Sequence, residues 1–189
     1  VALTLTNPAS YQVSALVSTS DVEAVAGVDY TGLAEVEVVF APGDTVASVD
    51  VPIVDDSVDD DEESFAVQLS GVTGAYLAAG SGTVSIIDDD PTPTLVILDK
   101  SVTEGGSGTS SVSVTVQLSA PSGRAVSVHW STANGSANLV DYVAGSGDLT
   151  FAPGQTQLTI AVLIKGDKMA ESDESFFVNL SLATNSVVA

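Results

Sequence analysis

The stretch SVSVTVQLS, residues 111–119, alternates apolar and small polar side chains. Its three valines would face one side of a strand, and the serines and threonine the other. The same period of two recurs in three further stretches, QLTIAVLI (157–164), FAVQL (65–69) and FFVNL (176–180), and turn sequences such as APGD and APGQ separate the strands. No segment shows a convincing helical period. The pattern predicts an all-β protein made of short, half-buried strands, which is typical of a sandwich.

The chain also repeats itself. Residues 27–70 align with residues 139–181, and residues 5–20 align with 118–133. Equivalent phenylalanines, Phe65 and Phe176, lie 111 residues apart. A repeat of this length is one sandwich domain. We therefore predict two tandem immunoglobulin-like Greek-key β-sandwiches.

The domain boundary is expected in DDDPTPTLVI (88–97), where two prolines stiffen the connection. This predicts repeat 1 over residues 1–92 and repeat 2 over 93–189. The repeats are out of phase, because repeat 1 lacks a first strand and repeat 2 lacks a last one. Three explanations stay open: a segment of a longer tandem array, strands supplied by neighbouring subunits, or one stretch of a continuous filament.

Charge excludes several classes of function. The 189 residues carry a formal net charge of −21, with 25 acidic and four basic side chains. Residues 1–92 contain 17 acidic side chains and no basic one. Such a chain repels nucleic acid and anionic membranes, so we expect no nucleic acid partner and no direct membrane insertion. The 44% apolar content argues against disorder, and the absence of cysteine excludes disulfides.

Two short runs concentrate the carboxylates, DDSVDDDEE at 55–63 and IIDDD at 86–90. Crowded carboxylates repel one another and take up protons unless a cation joins them. Calcium prefers six to eight oxygen ligands in a flexible geometry, which loops rich in Asp and Glu can supply. Zinc is disfavoured with no cysteine and one histidine. The runs therefore predict bound Ca²⁺, and a solvated acidic loop is the alternative.

Five motifs follow one another in a fixed order: an Asp-Tyr pair, F-x-P-G, a strand ending in Asp-Asp, an acidic loop reading E-x-F, and I-x-D-D-D. This ordered set resembles the Calx-beta family. The resemblance covers nearly the whole chain twice and implies a Greek-key sandwich with calcium at one end. The family is known from cytosolic regulatory domains of sodium–calcium exchangers, from matrix and adhesion proteins, and from large bacterial surface proteins.

The resemblance also implies which side chains bind calcium. In repeat 1 the implied ligands are Asp29, Asp55, Asp56, Asp60, Glu63, Asp88, Asp89 and Asp90. In repeat 2 they are Glu104, Asp141, Asp167, Glu171 and Glu174. Gly166 stands where repeat 1 has Asp55, and no Asp triplet follows, so we expect a weaker site in repeat 2.

No catalytic set is visible. The single histidine, His129, lies in the strand VSVHW on the face opposite the valines, where a solvent-facing role is expected. A Ser–His–Asp triad cannot be argued from it, and aromatic residues are scarce for a sugar-binding cleft. We predict that the protein is not an enzyme.

From these observations we expect calcium-stabilised repeats of a large extracellular adhesin, matrix or surface-fibre protein, located at the cell surface and bacterial. Calcium would stabilise the fold and stiffen the joint between repeats. The expected partners are calcium ions, neighbouring repeats or subunits, and a surface ligand or matrix partner. Two alternatives remain: a calcium-sensing regulatory module of the sodium–calcium exchanger type, and a self-assembling filament subunit.

Overall fold

Strands and turns make up the whole structure, a computed structural model that describes residues 1–189. None of its elements is a helix long and apolar enough to cross a membrane. The predicted all-β fold is therefore confirmed. The chain divides into two compact units, one of residues 1–57 and 61–88 and the other of residues 58–60 and 89–189.

The first unit contains six strands. They are β1 (Ala2–Thr4), β2 (Val13–Asp21), β3 (Val36–Phe40), β4 (Val46–Ser48), β5 (Glu63–Thr73) and β6 (Ser81–Ile86). One antiparallel sheet has the order β3-β2-β5-β6, and β1 pairs with β4 in a second. Apolar side chains at alternating positions, such as Val13, Ala15 and Val17, are buried between these elements, as the period of two predicts.

The second unit contains seven strands. They are β7 (Thr94–Ile97), β8 (Gly108–Leu118), β9 (Val126–Asn134), β10 (Ser146–Phe151), β11 (Gln157–Gly166), β12 (Phe176–Thr184) and β13 (Val187–Val188). Its sheets have the orders β10-β9-β12 and β11-β8-β7-β13. All pairs are antiparallel except the short β7–β13 pair. A second core forms here, with Val112, Val114 and Val116 of the opening stretch inside it.

The two units differ at one sheet edge. In the first unit, β5 pairs with β2 on one side and with β6 on the other. In the second unit, the equivalent strand β12 pairs only with β9 and ends its sheet. The first unit, in turn, has no counterpart of β7. This is the difference that the phase of the repeats predicts.

Burial of equivalent residues follows that difference. Phe65 and Val67 of β5 are 0% and 5% exposed, whereas their equivalents Phe176 and Val178 of β12 are only half-buried. The local sequences, ESFAVQLS and ESFFVNLS, are nearly the same. The added strand β6 therefore accounts for the deeper burial in the first unit.

Unequal burial predicts unequal costs of truncation. We expect Phe65→Ala to destabilise the first unit by about 3–5 kcal/mol, the usual cost of emptying a closed core site. Phe176→Ala should destabilise the second unit by roughly half as much, since its ring is already partly solvated. Denaturant titrations measure both costs, with the single tryptophan, Trp130, reporting the second unit.

Phe177→Ala is the matched control, because Phe177 is 56% exposed beside Phe176. It should change the free energy of unfolding by about 0.5 kcal/mol or less. Equal losses for Phe65→Ala and Phe176→Ala would contradict the role assigned to β6.

Candidate metal centre

A tight turn in the second unit holds Asp141. One carboxylate oxygen of Asp141 (Oδ2) accepts a hydrogen bond from the backbone N–H of Asn138 at 2.8 Å. The Asn138 side chain in turn accepts from the N–H of Val140 at 3.1 Å. The Asp141 carbonyl accepts from the N–H of Lys165 at 2.8 Å, which ties the turn to β11. Side chains of this type stabilise turns by bonding nearby backbone, and here the bonding fixes the carboxylate.

Stacked rings bring that turn to the start of β12. The Tyr142 ring lies against the Phe176 ring, with centroids 4.4 Å apart and planes 14° apart. Tyr142 is buried, and its hydroxyl donates to Asn134 Oδ1 at 2.7 Å. Glu174 precedes Phe176 by two residues, so the stack sets Asp141 beside Glu174.

Three predicted ligands therefore converge. Carboxylate oxygens of Asp141, Glu171 and Glu174 all lie within 4.8 Å of one another. Glu104 and Asp167 lie close enough for their charges to act on Glu171. They contact each other, because Glu104 Oε1 accepts a hydrogen bond from the backbone N–H of Asp167 at 3.0 Å. All five acids predicted for repeat 2 thus belong to one end of the second unit.

Electrostatics in this cluster favour a cation. Partial desolvation raises the pKa of Glu171, and the negative charges of Asp167, Asp141 and Glu104 raise it further. Desolvation also raises the pKa of Glu174, followed by the charge of Asp141 and a hydrogen bond with it. Each carboxyl holds its proton more tightly because desolvation and the nearby negative charges both disfavour its ionised form.

The donor set fits calcium. It consists of oxygen atoms only, on exposed and adaptable side chains. Carboxylates bind calcium through one or two oxygens each, so these residues can supply most of a six- to eight-oxygen shell. Zinc-type ligands are absent from the cluster, since the chain has no cysteine and His129 pairs with Asp148 at 2.7 Å.

Close backbone approach explains the glycine at position 166. A Cβ added to Gly166 would lie 2.0 Å from the carbonyl oxygen of Gly105 and 2.6 Å from its carbonyl carbon. Real Cβ atoms do not come so near. The segment that carries Glu104 therefore occupies the space of the side chain that Asp55 has in the first repeat.

We expect Gly166→Asp to destabilise the second unit although it restores the carboxylate of repeat 1. The cost should be about 1–3 kcal/mol, typical of overpacking, because residues 104–106 must move. Thermal unfolding followed by Trp130 fluorescence measures it. Gly154→Asp serves as a comparison in a turn where an added Cβ meets nothing within 4 Å but φ is +77°; a gain in stability for Gly166→Asp would contradict the steric account.

The first unit repeats the tyrosine and aspartate geometry. Asp29 Oδ2 accepts from the N–H of Val25 at 2.7 Å, and its carbonyl accepts from the N–H of Val54 at 2.9 Å. Tyr30 is buried, with its ring centroid 4.1 Å from that of Phe65. The loop that carries Asp29 is thus built as in the second unit.

The other predicted ligands of repeat 1 are distributed over both units. Asp55 and Asp56 follow the segment that contacts Tyr30 through Ile53. Glu63 begins β5 and pairs with Ile86 at the end of β6. Those three acids, Asp29 and Asp88 belong to the first unit, whereas Asp60, Asp89 and Asp90 are grouped with the second. Asp60 lies against Gly123, where a Cβ would overlap its carboxylate.

Asp59 has an arginine as its cation. It is 4% exposed, and its Oδ1 pairs with the Arg124 guanidinium at 2.5 Å. The Ser122 hydroxyl donates to the Asp59 carbonyl at 3.1 Å. All three residues belong to the second unit. One carboxylate of the acidic run is therefore neutralised by a side chain and not by a metal ion.

Asp21 is a functional residue that sequence reasoning missed. It accepts one hydrogen bond from the Tyr30 hydroxyl at 2.7 Å and another from the N–H of Ala26 at 2.9 Å. It thereby holds the loop that carries Asp29. The available signal was the repeat itself, because Asn134 occupies the equivalent position and accepts from Tyr142.

Asp21 should make the first unit sensitive to acid. The hydrogen bond from Tyr30, and then that from Ala26, lowers the pKa of Asp21 below its ordinary value of 3.8. A lowered pKa stabilises the fold above pH 3.8, and this contribution is lost as the pH falls through the folded-state value. Asp21→Asn keeps the acceptor without the titration. Wild type should be the more stable at pH 7, and its advantage should vanish below about pH 3.8.

Unfolding curves of wild type and Asp21→Asn from pH 7 to pH 3 measure this difference. Asp50→Asn controls for a general change of charge, since Asp50 is another exposed acid of the same unit. A constant gap between wild type and Asp21→Asn across this range would be inconsistent with the linkage.

The profile of the Calx-beta domain matches residues 1–90 and again residues 89–188. The chain belongs to the Calx-beta family. The resemblance found in the motifs is thereby confirmed. This is a calcium-binding regulatory domain family and not an enzyme family, so calcium as the bound ion agrees with the family.

Similar proteins include ion exchangers and a receptor. Rat sodium/calcium exchanger 2 is 29% identical over 181 residues, which cover 86% of this chain and 19% of the exchanger. Bovine sodium/calcium exchanger 1 is 28% identical over 183 residues, with the same coverage. The zebrafish adhesion G-protein coupled receptor V1 is 31% identical over 166 residues, or 84% of this chain and 3% of the receptor. The Calx-beta chain thus spans about a fifth of each exchanger.

Solved structures of tandem domains are also similar. The crystal structure of CBD12 from CALX1.2 is 27% identical, with a TM-score of 0.46, and the match covers 96% of this chain and 72% of that one. The calcium binding domain CBD12 of CALX1.1 is 24% identical, with a TM-score of 0.45, over 96% and 71% of the two chains.

The predicted localisation is wrong. The sequence predicts a bacterial protein that is extracellular or at the cell surface. The relatives that lead the comparison are instead sodium/calcium exchangers of rat, mouse and human.

Proposed function

We propose that this Calx-beta chain is a calcium-sensing regulatory module of the sodium–calcium exchanger type. The observation that carries the proposal is the convergence of Asp141, Glu171 and Glu174 within 4.8 Å. Similarity to the sodium/calcium exchangers supports it, over 86% of this chain. The predicted boundaries, residues 1–92 and 93–189, stay part of the proposal.

In repeat 2, calcium would be held by Asp141, Glu171 and Glu174, with Glu104 and Asp167 beside them. In repeat 1, the proposed ligands are Asp29, Asp55, Asp56, Asp60, Glu63, Asp88, Asp89 and Asp90. The ion supplies the positive charge that relieves the repulsion between these carboxylates. A bound ion then connects the turn of Asp141 with the loop that carries Glu171, so that calcium binding orders this loop.

Affinity separates sensing from a purely structural role. Sensor sites in calcium proteins bind at about 10⁻⁷–10⁻⁵ M, and structural modules outside cells at about 10⁻⁴–10⁻³ M. We expect calorimetric titration of chelator-treated protein to find at least one site with a Kd of about 10⁻⁷–10⁻⁵ M. Calcium at one hundred times its Kd should also stabilise the folded protein by about 2.7 kcal/mol.

Neutralising a ligand should weaken calcium binding at one site. We expect Glu174→Gln to weaken calcium binding in the second unit about tenfold or more, because a charged oxygen donor is lost at the centre of the cluster. Asp173→Asn is the matched control, an exposed neighbour with the same change of charge. Equal affinity of Glu174→Gln and Asp173→Asn would refute the site.

A second candidate function is that of calcium-stabilised spacer repeats in an adhesion or matrix protein. The match to the zebrafish adhesion receptor supports it. Millimolar affinity with a large rise in melting temperature would favour the spacer. Calcium-dependent stiffening of the joint stays a prediction, which small-angle scattering with and without calcium tests.

A further inference from the structure

The last residue of β9 is an asparagine that a glycine follows. Asn134 is exposed, and its pair with Gly135 is the only Asn-Gly dipeptide in the sequence. Asparagine is a thermolabile residue, because the backbone nitrogen of the next residue can attack the side-chain amide carbon. Glycine leaves that nitrogen unhindered, since it has no Cβ and adopts backbone conformations that other residues avoid. The dipeptide is therefore the most reactive asparagine context in the chain.

Close packing explains why a glycine follows Asn134. A Cβ added to Gly135 would lie 2.3 Å from the carbonyl oxygen of Ser175 and 3.1 Å from its carbonyl carbon. The same oxygen accepts a hydrogen bond from the N–H of Ala137 at 2.9 Å, which holds the two segments together. No side chain fits at position 135 unless the backbone moves. The reactive dipeptide is thus a consequence of the packing at this end of the second unit.

A tyrosine hydroxyl contacts the amide that would react. The Tyr142 hydroxyl donates to Asn134 Oδ1 at 2.7 Å, and its buried ring is fixed by the stack with Phe176. Negative charge develops on this oxygen when a nucleophile adds to the amide carbon, and a preorganised donor stabilises such charge. One bond opposes the attack, because the N–H of Gly135 donates to the Ala137 carbonyl at 3.2 Å and must be released first.

The first unit shows that an aspartate fits this position. Asp21 is the equivalent of Asn134 and accepts from the Tyr30 hydroxyl at 2.7 Å. Conversion of Asn134 to aspartate would reproduce this pair with Tyr142. Isoaspartate, the other product of such a reaction, carries its free carboxylate directly on Cα. Its acceptor oxygens lie one carbon nearer the backbone, so the hydrogen bond with Tyr142 would be lost.

We propose that Asn134 is a site of spontaneous deamidation, and that the Tyr142 hydroxyl promotes the reaction. The nitrogen of Gly135 gives its proton to hydroxide and forms a bond with Cγ of Asn134. The bond from Cγ to Nδ2 breaks, and ammonia leaves a cyclic imide behind. Water then adds to either carbonyl carbon of the imide. Cleavage of the new bond gives aspartate, whereas cleavage of the original peptide bond gives isoaspartate.

The two products should act differently on the candidate metal centre. Tyr142 directly follows Asp141, so the hydrogen bond with Asn134 helps to hold the turn that carries this carboxylate. Aspartate keeps the bond, and isoaspartate loses it. We expect the isoaspartate form to bind calcium in repeat 2 about tenfold more weakly, as is usual when a residue that orients a ligand is lost. This consequence rests on the proposed function, whereas deamidation itself does not.

Incubation of the intact chain at mildly alkaline pH, followed by peptide mass spectrometry, tests the site. Asn138 and Asn179 are internal controls, because both are exposed and are followed by leucine. Asn134 should lose its amide well before either of them. Loss should be slower in Tyr142→Phe, which keeps the stacked ring and removes the donor. Equal rates at Asn134 and Asn179 would overturn the site, and an unchanged or faster rate in Tyr142→Phe would overturn the role of the hydroxyl.

The products are separated by chromatography and compared with the Asn134→Asp variant. In denaturant titrations without calcium, the isoaspartate form should be less stable than Asn134→Asp, and equal stabilities would contradict the lost hydrogen bond. In calcium titrations, equal affinities of the two forms would overturn the effect on the metal centre. If neither form nor the unmodified chain bound calcium, the proposed function would fail, and loss of the Asn134 amide would still decide the modification.

Discussion

The stacked tyrosine and phenylalanine are the constraint on which the acidic end of each unit depends. In both units the tyrosine follows the site aspartate directly, and the phenylalanine lies within the first three residues of the strand that follows the acidic loop. By fixing a turn against a strand, the pair brings together two motifs that are distant in sequence. A stacked aromatic pair is suited to this task, because the large contact between its rings stabilises the arrangement against the repulsion of the acids around it.

Repulsion is the second theme of the molecule. A chain with 25 acidic and four basic side chains cannot pair every carboxylate with a base. The crowded carboxylates are therefore stabilised in other ways. Asp59 pairs with Arg124, Asp21 and Asp29 accept from hydroxyl or backbone N–H groups, and Glu171 and Glu174 hold protons more tightly. Glu171 and Glu174 lie with Asp141 in one cluster, where a bound cation would relieve the repulsion among the three carboxylates.

Much of this architecture could be predicted from the sequence. Alternation of apolar and polar residues, as in residues 111–119, predicts strands without knowledge of the strands they pair with. The internal repeat identifies equivalent loops. The close approach of Gly105 to Gly166 could not be predicted, because it depends on the path of a loop rather than on local pattern. The role of Asp21 was also hidden, since a carboxylate that accepts from Tyr30 has the same composition signal as one in water. Location was misjudged because composition reports chemistry and not compartment.

The glycine at position 166 also bears on how the two repeats diverged. With the backbone of Gly105 against it, no side chain can return to position 166 unless residues 104–106 first withdraw. Glu104, which lies on that segment and accepts from Asp167, would then lose its place. Positions 105 and 166 are therefore coupled, because a side chain at position 166 requires a different path of residues 104–106. A consensus sequence that averages the two repeats position by position would place a side chain against the backbone of Gly105.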